Sequence, residues 1–407
     1  MAKNASSETK LFSLKGKIQN YAWGGKQYIP QLLGIDSHDE KCAEYWLGAH
    51  VNAPSTIKTP EGEQPLDSYL MSNLMDSLGN NIVDKFGRLP FLFKVLDVHD
   101  MLSIQVHPTK KEAEKGFKYE NEQGIPLKAA NRNYKDDNHK PEIMVALSEF
   151  WLLHGFLPKN QLIKRLQETP EFVGLLPIFE KDGYFGLYKK VMEQSQEDCN
   201  NTLASLVKRI MPFYLAGKLD KSSPDYWAAK AVETAEDTRN LDKGIYSIYF
   251  FNIVKANEGE AIFQDAGIPH AYLEGQNMEL MANSDNVLRG GLTPKHVDVP
   301  ELLKHVAFEE TIPNIMQGTL QDDGLERVYT TVAPDFELSK IDISKSDIYQ
   351  SKAKTAQIVI VIEGQAEIKE GDTSIALEKG QSAFLKSESK YSISSPSSAI
   401  IYKATAP

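Results

Sequence analysis

Apolar and polar residues alternate most clearly in the run SIQVHP at 103–108. Successive side chains of a strand point to opposite faces. Ser103, Gln105 and His107 therefore share one face, and Ile104 and Val106 the other. Polar groups on a buried face cost free energy unless they are partnered, and a divalent metal would be such a partner. Taken alone, a Gln-x-His pair fits a solvated strand face better. The rest of the chain has to decide.

The compact apolar run at 91–96 has strand length, residues 97–100 read as a polar turn, and 102–106 resumes the strand pattern. A hairpin or meander is the expectation. From about 158 the period changes. Leu162, Ile163 and Leu166 form a helical stripe, and Leu203, Leu206, Val207 and Ile210 recur at i, i+3, i+4 and i+7. Residues 225–232 read as a helix entered through Pro224, which suits the first helical position. Aromatic and β-branched residues at 245–254 predict a return to strand, followed by a strand at 258–263 and a turn at 265–269. From about 320, short strands with Gly turns follow closely, among them 358–362 and 400–402, as in a β-barrel or sandwich. The expected fold is mainly β with a helical segment set into it.

Composition narrows the function. A length of 407 residues allows two or three domains. The formal net charge of -11 argues against sequence-independent nucleic-acid binding, which needs a basic face. Cys42 and Cys199 are isolated thiols, without a disulfide framework or a Cys-x-x-Cys metal site. The first ten residues lack an apolar core, and no run of 18 apolar residues occurs, so a cytoplasmic protein without a membrane span is expected. No His follows His305, which leaves the C-terminal strands as a structural barrel.

Four candidate metal ligands stand out: Gln105, His107, Glu142 and His270. Singly, His270 fits a satisfied histidine and Glu142 a solvated carboxylate. Together they make a nitrogen and oxygen set that suits zinc, with manganese or iron compatible on ligand type. Cations gather in the same segments: Lys94 inside an apolar strand, Lys140 two residues before Glu142, and Arg289, Lys295 and His296. Lys94 alone fits a snorkelling lysine. Several cations around a metal repel one another unless an anion joins them, and a phosphorylated substrate would do so.

These residues carry a specific resemblance. NYAWG at 20–24, AEYWLG at 43–48, PFLFKVL at 90–96, LSIQVHP at 102–108, DNHKPE at 137–142, GIPHAYL at 267–273, SDNVLR at 284–289 and LTPK at 292–295 resemble the type I phosphomannose isomerases, in family order over roughly residues 10 to 310. The resemblance implies a cupin (jelly-roll β-barrel) catalytic domain at 1–157 and 245–318, an α-helical insertion domain at 158–244, and a C-terminal cupin-like barrel at 319–407. It implies a monomer that interconverts D-mannose 6-phosphate and D-fructose 6-phosphate with one zinc ion per chain, held by Gln105, His107, Glu142 and His270. Ser103, Lys94 and Lys295 match phosphate-contacting residues, and Arg289 matches the active-site arginine. Asp265 stands where the family usually has Pro, Gly25 where Ser is common, and His99 and Asp100 occupy a usually smaller turn. None of these touches an expected ligand.

Aldose–ketose interconversion moves one proton between C2 and C1 and another between the two oxygens. It needs a base at carbon and a positive centre for the oxyanion. Glu279 is the expected base, matching the residue proposed for this role in the family, and Lys140 is the alternative. His139 and Asp285 are expected to assist ring opening, Tyr272 to donate a hydrogen bond, and Trp23 and Glu44 to shape the pocket. Two other classes fit a metal cupin. A cupin dioxygenase predicts oxygen consumption and no phosphate site, against which the cation set argues. A non-catalytic sugar-phosphate-binding cupin predicts binding that tolerates loss of Glu279.

Overall fold

The computed structural model describes residues 9–36, 39–235 and 239–407. The first of its two large sheets is organised by the strand His270–Ala282. The C-terminal half of this strand pairs antiparallel with Phe91–Val98 on one side and Glu142–Ala146 on the other. Its N-terminal half pairs with Phe150–Phe156, and His270 lies opposite both His154 and Gln105. The change of partners falls at Gly275, whose φ is 123°. A Cβ there would sit 2.6 Å from the Glu149 carbonyl oxygen and 2.7 Å from the Phe150 ring, so only glycine lets the strands approach this closely. Glu44–Leu47, Ala261–Gln264 and Leu288–Arg289 extend the sheet beside Phe91–Val98, Glu142–Ala146 and Gln105–Val106.

Alternation gives this sheet two different faces. Phe93, Val95, Ile143, Val145, Met278 and Leu280 point outward into one continuous core with Phe336, Leu338, Ile358, Ile360, Phe384 and Tyr402 of the C-terminal sheet. The residues between them, including Lys94, Glu142 and Glu279, face the interior of the first barrel. The second sheet holds the C-terminal strands, including Gln357–Glu370 and Ser398–Thr405. It also takes in the N-terminal strand Leu11–Lys15, which pairs with Ser382–Leu385 and Thr56–Thr59. The segment before 157, expected to lie in the catalytic barrel, is thus divided between both sheets.

Helices fill the stretch between Phe150–Phe156 and Phe251–Ala256, among them Lys159–Glu168, Leu176–Glu193, Gln196–Leu215 and Pro224–Glu233. Ser195 and Ser223 cap the last two, accepting bonds from the Asp198 and Asp225 amides. Their apolar faces share a core with Ile104 and Val106, the apolar side of the Gln105 strand. Among the described residues no helix is long and apolar enough to cross a membrane.

Two local expectations give way. Phe91–Val98 and Gln105–Val106 do not form a hairpin; both pair instead with His270–Ala282, which is long enough to serve each in turn. Residues 245–250, expected in a strand, lie in the helix Gly244–Phe250, and strand begins only at Phe251. All seven helix residues are buried, with Tyr246 and Tyr249 both 5.0 Å from the Phe172 ring. Packing on every side overrides the β preference of aromatic residues.

Candidate active site

The strand pairing brings His107, Glu142 and His270 together, each offering a ligand atom within 4.8 Å of the others. Glu142 lies between the imidazoles, its Oε1 3.4 Å from His107 Nε2 and its Oε2 3.4 Å from His270 Nε2. The second nitrogen of each ring faces a backbone carbonyl: His107 Nδ1 is 2.9 Å from Asn286 O, and His270 Nδ1 is 2.9 Å from Ile268 O. A carbonyl only accepts, so Nδ1 carries the proton and Nε2 presents a lone pair. His107 Nε2 is buried and has no hydrogen-bond partner. Burial, reinforced by the charges of Lys140 and His270, pushes His107 down to about 4 even though Glu142 opposes the shift. Burial works against the Glu142 carboxylate too, but the charge of Lys140 holds it well below the usual range. Two lone pairs facing an ionised carboxylate in a buried space call for a cation. The set fits a divalent metal with nitrogen and oxygen preference, zinc foremost, and the two carbonyls orient its imidazoles. Gln105 lines a cavity together with Glu142 and His270.

The rest of that cavity is lined by Glu44, Lys94, Leu96, Leu102, Lys140, Ala271, Tyr272 and Glu279. Lys94 is directly opposite Glu279 in the sheet and donates to its Oε2 at 2.8 Å, with Glu44 Oε2 at 3.5 Å and the Trp46 ring 5.3 Å away. Burial would lower this lysine, but Glu279 and Glu44 outweigh it and hold the ammonium charged. The lysine expected at the phosphate is thus enclosed by two carboxylates. Burial raises Glu279, as do the charges of Glu142 and Glu44, against the pull of Lys94. Tyr272 is kept a protonated phenol by burial and by Glu279 and Glu142. Lys140 Nζ lies 3.1 Å from Glu142 Oε1.

The other expected residues stand around this cavity rather than in its wall. Arg289 is register partner to Gln105, and Ser103 adjoins the lining residue Leu102. Burial lowers Lys295, with Arg289 adding its charge, which puts two cations near one another. Trp23 packs against the apolar floor of the barrel. Asp285 is 3.2 Å from His50 Nε2 and accepts from Asn52 at 3.1 Å, while His139 Nε2 is 2.8 Å from Asp335 Oδ2.

Sequence reading missed the residues that hold these in place. Asn286, 1% exposed, accepts from the Lys135 and Asp136 amides and donates to the Asp136 and Asn138 carbonyls. Its own carbonyl is the one that orients His107. His154 and Gln264 form a buried pair, 2.7 Å apart, opposite His270 and Glu142 respectively. Asn286 lies inside the SDNVLR motif, the one signal that could have found it.

Two family models match the chain: the catalytic domain of type I phosphomannose isomerase over residues 11–159, and the cupin domain of mannose-6-phosphate isomerase over residues 326–402. The chain is 36% identical to the mannose-6-phosphate isomerase of Escherichia coli (strain K12), over 91% of this chain and 94% of that one. It is 30% identical to the human mannose-6-phosphate isomerase over 97% and 98%. Among solved structures, mannose 6-phosphate isomerase from Salmonella typhimurium bound to substrate and zinc superposes with a TM-score of 0.87 at 33% identity, covering 98% of this chain and 100% of that one.

Proposed function

The chain belongs to the type I phosphomannose isomerase family, and on that premise we propose how its residues divide the work of interconverting D-mannose 6-phosphate and D-fructose 6-phosphate. The observation that carries the reading is the His107–Glu142–His270 cluster: Glu142 and His270 line the same cavity as Glu279 and Lys140, and the orphaned Nε2 of His107 is buried beside them. Gln105, His107, Glu142 and His270 hold zinc, which when bound supplies the positive charge that an enediolate oxygen needs.

Glu279 is the base that carries the proton between C2 and C1 through a cis-enediol(ate). A carboxylate raised by burial and by neighbouring carboxylates is a stronger base than a free one and matches a task near neutral pH. Lys94 fixes its orientation from the facing strand; a phosphate contact by Lys94 would require this pair to open. Ser103 and Lys295 bind the phosphate, and Arg289 faces the developing oxyanion. Tyr272 donates a hydrogen bond, His139 and Asp285 assist ring opening, and Lys140 neutralises charge beside Glu142. Trp23 and Glu44 shape the pocket. The protein acts as a cytoplasmic monomer, with a catalytic barrel interrupted by helices between Phe150–Phe156 and Phe251–Ala256 and followed by a C-terminal barrel that also takes in the strand Leu11–Lys15.

Glu279→Gln separates base from metal. Turnover falls about 10²- to 10⁴-fold, the usual worth of a positioned base, while zinc content stays at one per chain. Near-normal turnover with full zinc would move the role to Lys140, and Lys140→Met should then abolish proton exchange at C1 and C2.

A further inference from the structure

The loop that delivers Lys140 and Glu142 is gripped from two sides. On one side the Asn286 side chain, with Ser284 donating to Asp136 at 2.8 Å, ties down residues 135–138. On the other side the grip comes from the C-terminal sheet. His139 Nε2 lies 2.8 Å from Oδ2 of Asp335, a residue 1% exposed that directly precedes Phe336 of the core shared by both sheets. A buried carboxylate is costly unless hydrogen-bonded, and His139 is the side chain that meets this one. A carboxylate accepts, so it holds the proton on Nε2. Nδ1 is then left as an acceptor with no bond to any described residue. A buried aspartate that fixes the tautomer of a working imidazole is a recurrent catalytic device.

We propose that Asp335, from the C-terminal barrel, is a positioning residue for the isomerase reaction, acting through His139. This rests on the reading that the chain opens and isomerises mannose 6-phosphate. In the opening step Nδ1 of His139 takes the proton of the O1 hydroxyl. The C1–O1 double bond forms as the C1–O5 bond breaks, and its electron pair goes to O5. The proton on Nδ1 is then returned to O5, so His139 ends in the state in which it began. The carboxylate keeps its charge throughout and only holds the ring. The second barrel thereby gains a part in the chemistry of the first.

The test is a double-variant cycle on the zinc-loaded enzyme with mannose 6-phosphate. Asp335→Asn keeps size but lets an amide N–H compete for the ring nitrogen, favouring the wrong tautomer. It should lower kcat about 10- to 100-fold, the usual loss when the orienting partner of a histidine is removed, with KM, zinc content and melting temperature unchanged. Adding His139→Gln to Asp335→Asn should slow the enzyme no further than His139→Gln alone. Wild-type kcat in Asp335→Asn, losses that multiply in the double variant, or a kcat loss that merely follows lost zinc or lowered melting temperature would each overturn the proposal. If Asp335→Asn does not fold, His139→Gln, whose amide can still donate to Asp335, takes over. It must lose kcat at an unchanged melting temperature, and normal kcat there refutes the role. Absence of turnover in the wild-type enzyme would instead refute the isomerase reading itself.

Discussion

The two barrel interiors are made by the same alternation of strand residues but treat their polar groups in opposite ways. In the C-terminal barrel Lys403 Nζ lies 2.8 Å from Tyr349 Oη and 2.6 Å from Glu326 Oε1. Tyr349 donates to the other Glu326 oxygen at 2.8 Å, and Tyr391 to Gln357 at 2.7 Å. That network satisfies its own members, and Ser339 Oγ, opposite Lys403 in the sheet, is buried beside it without a hydrogen-bond partner. In the first barrel His107 Nε2, Tyr272 Oη and both amide atoms of Asn277 are buried with no hydrogen-bond partner. Each such atom costs about 1–3 kcal/mol. A fold tolerates that expense where a ligand completes the set. The difference between a catalytic and a structural barrel thus lies less in which residues are polar than in whether they satisfy one another.

The comparison can be broken most sharply at the open set. Glu142→Ala leaves two lone-pair nitrogens without the carboxylate between them, and bound zinc and turnover should disappear together. Metal analysis showing full zinc would contradict the assigned ligands. Next in size is Asn286→Leu, which removes five hydrogen bonds around the ligand-bearing loops. Metal affinity or kcat should fall about 10- to 100-fold. Unchanged zinc affinity and kcat would make Asn286 a bystander.

The closed set predicts a different phenotype. Lys403→Met strands Glu326 and should destabilise the protein by about 3–5 kcal/mol in urea titrations, while the folded enzyme keeps wild-type kcat. A fall in kcat at unchanged stability would mean that the second interior is not the inert one.

The smallest effect is on acid stability of the metal-free protein. Burial holds both His107 and His154 down to about 4, against 6.5 for a free imidazole. Between pH 6.5 and 4 the unfolded chain therefore binds protons that the folded chain refuses. Stability is full above about pH 6.5 and is lost as pH falls, by up to about 1.4 kcal/mol per pH unit for each histidine. His154→Gln should remove one histidine's share of that slope, and an unaltered slope in unfolding curves at about pH 5, 6 and 7 would contradict the burial argument.

What sequence made legible follows from the range of each interaction. Ile104 and Val106 against Gln105 and His107 is a matter of adjacent residues, and the structure keeps that alternation. The stripes at 162–166 and 203–210 lie in helices for the same reason. Lys94 and Glu279 meet only because a strand register sets them opposite one another 185 residues apart, so the local signal held a lone lysine and no partner. His139 and Asp335 are 196 residues apart, the one on a loop of the first barrel and the other beside the C-terminal sheet. Asn286 works partly through its backbone carbonyl, which carries no residue-type signal at all. The helix at Gly244–Phe250 was hidden because burial on all sides, rather than periodicity, decides its form.

The most direct test of the central claim follows fructose 6-phosphate formed from mannose 6-phosphate in a coupled assay, before and after chelation and again after zinc is restored. The geometry of His107, Glu142 and His270 predicts turnover that is lost with the metal and regained with zinc. Persistent turnover in verified metal-free protein, or none with one zinc bound per chain, would contradict it.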